Sequence, residues 1–360
     1  MLFLIWAILI IMGLLFPKSK IITFLLTLFM VISICFRTQG ADWTVYTNEY
    51  KWSAYQIFSD VHYVGYLILE QFGHRLGLTF EQFTVFVGII SIMLFLFGTT
   101  KLTSNINVVF ALFLIYPFSH EAVQVRTFLA NSIIIAALPL ILKEDNKIAD
   151  RKKRLINIIL FYVLSILACT IHFEAAFYLI CVSLMLFLPK KYGRSYIFGG
   201  TIILFALIQT GILPTIVSRF NTRIAYWLSG KTGLGIIIPI FISLVIWYGM
   251  QMVGKCCVAK SSETEKKIFE RLLRLSNFII ILIPLFCYDI TFNRLWRLFL
   301  FVFYIMIANI LNYSLKKNTY LWIIFLMTIL FISICAYEGV FVILNGFFED
   351  NAIFKNYSVF

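Results

Sequence analysis

RKKRLINIILFYVLSILACTIHFEAAFYLICVSLMLFLPKK, residues 151–191, holds two long apolar runs joined through His172 and Glu174 and fenced at both ends by basic clusters. Neither run alternates apolar with polar residues. A backbone in lipid must satisfy its own hydrogen bonds, so each run reads as a membrane helix. The basic fences belong together on one side of the bilayer, which puts His172 and Glu174 on the other.

The same reading extends along the chain. The sequence is 61% hydrophobic over 360 residues, with mean hydropathy +0.94. A spanning helix needs about twenty mostly apolar residues. The apolar runs predict an all-α polytopic helical membrane protein of about 12 transmembrane helices, near 2–16, 21–36, 84–98, 106–118, 127–142, 155–171, 173–188, 196–213, 234–253, 276–290, 298–313 and 319–336. With these spans, 20 of the 30 Lys and Arg fall on one side, together with only 6 of the 17 acids. That side nets +14 and the other −1. The positive side is expected to be cytoplasmic, with both termini facing outward. The partition accounts for the net charge of +13 with loop anchors and without nucleic acid.

Several classes drop out. No segment is long and polar enough for a soluble domain, so residues 1–360 read as a single integral membrane domain. Residues 2–16 lack a basic start and a small-x-small cleavage site and read as a retained first helix rather than a signal peptide. The seven cysteines form no CxxC and no metal-ligand spacing with histidine. There is no phosphate-binding glycine loop and no internal repeat. No cofactor and no metal is expected.

Three outward segments are expected, 37–83, 214–233 and 289–297. The first is too aromatic for a disordered loop. Within it Tyr63, Tyr66, Leu67, Glu70 and His74 recur at helical spacing, which predicts an amphipathic helix at the membrane surface. The outward side is otherwise poor in basic residues, so its arginines are the anomaly: Arg126 at the start of a span, Arg219 with Arg223, and Arg294 with Arg297. The last two pairs are spaced to share a helix face. A guanidinium fork suits bidentate phosphate contact, and several converging at the outer leaflet would hold a pyrophosphate headgroup. Each could equally snorkel to lipid phosphates or pair with an outward acid. His172 and Glu174, two apart, would diverge on a continuous helix but reach one cavity at a break. Asp42, Glu49 and Asp60 are further outward acids near aromatics, and any of these groups could act as a general base.

Four places resemble the EpsG-type polysaccharide polymerases, relatives of the Wzy O-antigen polymerases. Gly40-Ala41-Asp42 followed by Tyr46 resembles the family's G-x-D-x-x-x-Y. His62 to Tyr66 resembles its E-P/x-x-Y segment, with His62 where an acid is common. Val125 to Ala130 resembles I-R-Q-x-L-A, with Thr127 for Gln. Ile171 to Ala176 resembles H-x-S-A, with Glu174 for Ser. The resemblance implies a metal-independent membrane glycosyltransferase of the C type in the bacterial cytoplasmic (inner) membrane. Such enzymes join undecaprenyl-pyrophosphate-linked oligosaccharide repeat units on its outer face. It implies His172, Asp42 and Glu174 as catalytic candidates. Arg126, Arg219, Arg223, Arg294, Arg297, Tyr46, Glu49 and Tyr66 are the substrate-binding candidates. Membrane lipids and a chain-length regulator are the other implied partners.

Two other activities compete. A lipid-linked oligosaccharide flippase would carry its charges near the midplane, whereas these lie at span ends. A membrane O-acyltransferase would expose its histidine to a cytoplasmic acyl donor, whereas His172 is expected outward.

Overall fold

The computed structural model describes residues 2–36, 43–56, 63–143, 151–189, 193–219, 226, 228, 237–286, 289–313 and 317–349. Among them every regular element is helical. Packing divides the chain into two units, Met1–Leu179 with Glu338–Phe360, and Ile180–Tyr337.

The first unit is built from α1 (Leu2–Leu15), α2 (Lys20–Cys35), α3 (Trp43–Ser53), α4 (Val64–Arg75), α5 (Phe80–Leu102), α6 (Ile106–Ile115), α7 (Phe118–Val123), α8 (Val125–Leu142), α9 (Arg151–Ile171) and the first turns of α10 (Glu174–Phe187). Polar residues set the helix starts. Ser19 caps α2 through the Ile22 N–H, and Thr79 and Gln82 close a reciprocal capping box on α5. Asn107 ties α6 to the preceding turn by donating to the Phe16 carbonyl at 2.6 Å and the Ser19 carbonyl at 2.9 Å.

Helix α8 is the axis of this unit. Every residue from Val125 to Leu142 except Leu140 is buried, with α5 and α9 packed against it. Helix α5 comes closest at Gly98, where a Cβ would stand 2.5 Å from the Ile135 carbonyl oxygen, so any larger residue would force the two spans apart. Helix α9 instead turns Leu155, Ile159, Val163 and Ile166 outward, each more than half exposed. A contiguous apolar face of this kind suits lipid.

The second unit packs Ile237–Lys260 against Trp296–Ile310, with Gly249 making room for Phe303. Trp296 Nε1 donates to Ser243 Oγ at 2.9 Å across that contact. Helices α11 (Gly193–Gln209) and α12 (Ile212–Ser218) form a pair bent by 76°. Gly211 makes the bend at φ +74°, a left-handed conformation that glycine adopts without strain.

The expected span count is not met among the described residues. Six helices are long and apolar enough to cross a membrane, or seven if the bent pair is one span. The apolar stretches near 2–16, 21–36, 106–118 and 173–188 fold as α1, α2, α6 and α10, of 10–17 residues. That is short of the length a bilayer core of about 30 Å requires. The stretch near 276–290 breaks into a 3-10 turn, Asn277–Ile281, and a five-residue helix, Leu282–Phe286, with Pro284 at its centre.

Candidate functional site

Helix α8 begins abruptly. Helix α7 ends at Val123, Gln124 turns the chain at φ −107° and ψ 62°, and α8 starts without a side-chain cap. Its second residue, Arg126, is 9% exposed. One acid and three rings surround the guanidinium. Nη1 donates to Glu49 Oε2 at 3.1 Å. The ring of Tyr63 lies 4.1 Å from the guanidinium carbon, with Tyr46 at 5.2 Å and Tyr66 at 5.5 Å. The negative ring faces stabilise a cation that burial would otherwise destabilise, by about 0.5–2 kcal/mol per well-placed ring. Glu49 supplies the guanidinium's one hydrogen bond among the described residues, and Nε is buried there without an acceptor. Arginine carries five N–H donors, so this fork is under-used. Glu49 itself has 42% of its side chain exposed.

The rings arrive on two short helices lashed together. Tyr46, Glu49 and Tyr50 recur at three- and four-residue spacing on α3, as Tyr63, Tyr66 and Glu70 do along α4 and its start, so each set shares a face. Tyr50 hydroxyl donates to the Leu78 carbonyl at 2.9 Å. His74 Nε2 meets the Tyr50 carbonyl at 2.7 Å. Gln71 donates to the Ser53 carbonyl at 3.1 Å.

Glu70 sits one turn beyond Tyr66 and is 5% exposed. Burial, reinforced by the charge of Glu49 and opposed by Arg126, pushes its carboxyl up to about 8. At neutral pH it is mostly protonated. Burial and Glu70 together hold the Tyr66 hydroxyl well above its ordinary value. Two acids therefore flank one guanidinium, Glu49 ion-paired and half open, Glu70 buried and neutral.

Tyr63 connects this cage to the α9–α10 junction. Its ring stacks on His172 at 5.4 Å with 3° between planes. Arg126, Tyr63 and His172 thus form one chain of contacts. Helix α9 ends at Ile171 and α10 starts at Glu174, and the break lets residues two apart meet. The Glu174 N–H donates to His172 Nδ1 over a long 3.4 Å, and Glu174 Oε2 lies 3.9 Å from the same nitrogen. With Nδ1 accepting, the neutral imidazole carries its proton on Nε2.

Of the residues singled out from sequence, the fold gathers Arg126, Tyr46, Glu49, Tyr66, His172 and Glu174 in the first unit. Asp42 and Arg223 lie outside the described residues. Arg219, at the end of α12, is exposed; Arg294 is partly buried and Arg297 buried, and all three belong to the second unit. Sequence reasoning placed Tyr63 and Glu70 on a helix face but gave them no role. Their signal was an acid among aromatics on the side of α4 that also carries Leu67. Among the described residues no three His, Cys, Asp or Glu side chains form a group able to hold a metal ion.

The profile of the EpsG family matches residues 20–359. The chain belongs to the EpsG family. Members are Wzy-like polymerases, which supports a polysaccharide-polymerase type of function for this EpsG chain. Comparison with curated proteins and with solved structures returned no match. The roles of individual residues in this EpsG protein therefore rest on their chemistry and geometry.

Proposed function

We propose that this chain polymerises oligosaccharide repeat units carried on undecaprenyl pyrophosphate, at the outer face of the bacterial cytoplasmic membrane. One observation carries the reading. Arg126 is a buried, ring-held guanidinium whose hydrogen-bonding acid is half exposed and therefore displaceable.

The incoming pyrophosphate replaces Glu49 on Arg126 and takes the fork bidentately. The His172 Nε2–H supplies a further donor to it across the Tyr63 ring. Displacement frees the Glu49 carboxylate beside the reacting centre. An acceptor sugar hydroxyl then attacks the anomeric carbon of the donor. The new C–O bond forms as the bond from that carbon to the pyrophosphate oxygen breaks. The electron pair leaves on the pyrophosphate, and the hydroxyl proton passes to Glu49. Arg126 meets the charge developing on the leaving group, a type of stabilisation whose loss costs about 10²–10³ in rate. Holding both lipid-linked partners at one site adds the advantage of proximity. On the twelve-span reading of the sequence the Lys/Arg partition puts the α8 start and the α9–α10 junction on the acid-rich side, which supports the outer-face orientation.

The test is Glu49→Gln in proteoliposomes supplied with lipid-linked repeat units. Turnover is expected to fall at least a hundredfold, while the KM for the lipid-linked substrate stays level or drops because the competing carboxylate is gone. Full-length polymer at normal rate from Glu49→Gln would remove Glu49 as the base. Lipid-linked repeat units left unjoined by the wild-type protein would remove the polymerase reading.

A further inference from the structure

A cavity of about 420 Å³ opens beside the Arg126 cage, between α4, α5, α8 and α9. Thr170 is the one residue with a polar side chain in its lining. That hydroxyl is already bonded to the Leu167 carbonyl of its own helix at 2.7 Å. The walls therefore offer a ligand hydrocarbon contact and no free side-chain donor. The cavity is elongated: Phe86, Ile90 and Leu94 line it along α5, a run of nine residues that rises about 12 Å from first to last. Ile68 and Leu167 at its edge are about half exposed, so it is open to the outside of the helices that line it.

Three of the four helices continue directly from this cavity into the cage. On α4, Val64 and Gly65 line the cavity while the flanking Tyr63 and Tyr66 face Arg126. On α8, Leu129 lines it one turn after Arg126. On α9, Ile171 lines it immediately before His172. Gly65 also lets α4 seat against α9 here, since a Cβ would stand 2.9 Å from the Thr170 Cβ. An apolar slot ending at a guanidinium matches an amphiphile with a hydrocarbon tail and an anionic head.

We propose that this cavity seats the first isoprene units of the polyprenyl pyrophosphate carrier, with the pyrophosphate at Arg126. The inference rests on the polymerase reading above and adds to it a site for the tail. Binding of the tail fixes how far the head can travel. The cavity thereby sets the register of the reacting anomeric carbon against Glu49.

A photoreactive residue placed singly at Ile90 or Ile133 in the full-length protein tests this. The proteoliposomes contain phosphatidylethanolamine, phosphatidylglycerol and undecaprenyl pyrophosphate, and adducts are identified by mass. Ile332, an exposed apolar residue on Lys317–Tyr337, is the control position. Polyprenyl adducts at Ile90 and Ile133 should exceed those at Ile332 at least fivefold. Ile133→Trp should reduce the adduct at Ile90 by a similar factor, and Ala136→Phe, which fills the same space from the next turn of α8, should do so as well. Phospholipid adducts alone, or polyprenyl adducts equal at all three positions, would overturn the proposal. The failures separate cleanly. Polymer formation in parallel proteoliposomes supplied with lipid-linked repeat units, without excess adduct in these, sinks the cavity assignment and spares the polymerase reading. Excess adduct without polymer formation supports the cavity as a polyprenyl site and sinks that reading.

Discussion

Two polar clusters sit near the start of α8, and they differ in how their charges are matched. Arg126 faces the tyrosines of α3 and α4, and its acid, Glu49, is 42% exposed. Asn131, five residues on, points about 140° away around the helix. It donates to Glu121 Oε1 at 2.9 Å, beside a His120–Glu338 contact of 3.3 Å in which both side chains are nearly buried. In the second cluster each of these groups has a buried partner. In the first, the cation is buried and its acid faces outward. A charge whose partner can leave is arranged to exchange that partner for a ligand. A charge locked on both sides is arranged to hold helices together. The helix start alone does not distinguish these roles, because both clusters use it.

The sharpest test of the contrast is Arg126→Lys. Lysine keeps the charge but loses the planar fork and much of the stacking on three rings. Polymerisation in proteoliposomes should fall at least a hundredfold, and Arg126→Ala further still, with little change in the melting midpoint in detergent. Normal chain length and rate from both variants would remove the anion-binding role and erase the distinction between the clusters.

Asn131→Leu should behave in the opposite way. It removes a hydrogen bond from the buried Glu121 carboxylate, and losing a bond to a charged group costs about 1.5–3 kcal/mol. The melting midpoint should drop by several degrees, while the KM for lipid-linked substrate, measured per folded molecule, stays at the wild-type value. A raised KM with an unchanged midpoint would mean that the second cluster also faces substrate.

How much of this was readable beforehand differs between the two halves of the site. The His172–Glu174 junction was legible because a histidine and an acid interrupt otherwise continuous apolar runs. Such residues are costly inside a span and so mark its end. The Arg126 cage was only half legible. Local spacing put Tyr63, Tyr66 and Glu70 on one face, but no periodicity reports that this face meets a residue about sixty positions later, or that Glu49 meets Arg126 across 77 positions. Burial, the main cause of the raised Glu70 carboxyl, is equally a product of long-range packing, and the opposing charges of Glu49 and Arg126 bear on it only through that meeting. The span count is hard to read for a related reason. Apolar composition measures what a helix is able to bury, and among the described residues six helices, or seven with the bent pair, are long and apolar enough to cross a membrane, while α1, α2, α6 and α10 are shorter. Whether the arginines converge is likewise a long-range matter that local spacing does not report: Arg126 belongs to the first unit and Arg219, Arg294 and Arg297 to the second.

Glu70 gives a smaller effect, read through pH. Its carboxyl is raised from 4.5 to about 8 in the folded protein. The folded state therefore binds this proton more tightly than the unfolded state. The corresponding stability is fully present below 4.5 and is lost as pH rises through about 8. Glu70→Gln is uncharged throughout, so its melting midpoint should fall less than the wild type's between pH 5 and 9. Above pH 8 the ionised Glu70 adds a second negative charge near Arg126 and should raise the KM for a pyrophosphate lipid. Glu70→Gln should remove that rise. Parallel pH curves for the two proteins would show that Glu70 is not the group responsible.

The smallest change concerns the ring that joins the two halves. Tyr63 lies between Arg126 and His172, and its face supplies both contacts. Tyr63→Phe preserves that face and should keep the KM for lipid-linked substrate within about twofold. Tyr63→Leu fills similar space without the quadrupole. The loss of about 0.5–2 kcal/mol of cation–π stabilisation corresponds to roughly a two- to thirtyfold rise in KM. Because the ring acts through the guanidinium it holds, combining Tyr63→Leu with Arg126→Lys should cost less than the sum of the single changes, as expected for groups in contact. Additive losses would mean that Tyr63 serves the site independently of Arg126. Equal losses from Phe and Leu would transfer the role from the ring face to the hydroxyl.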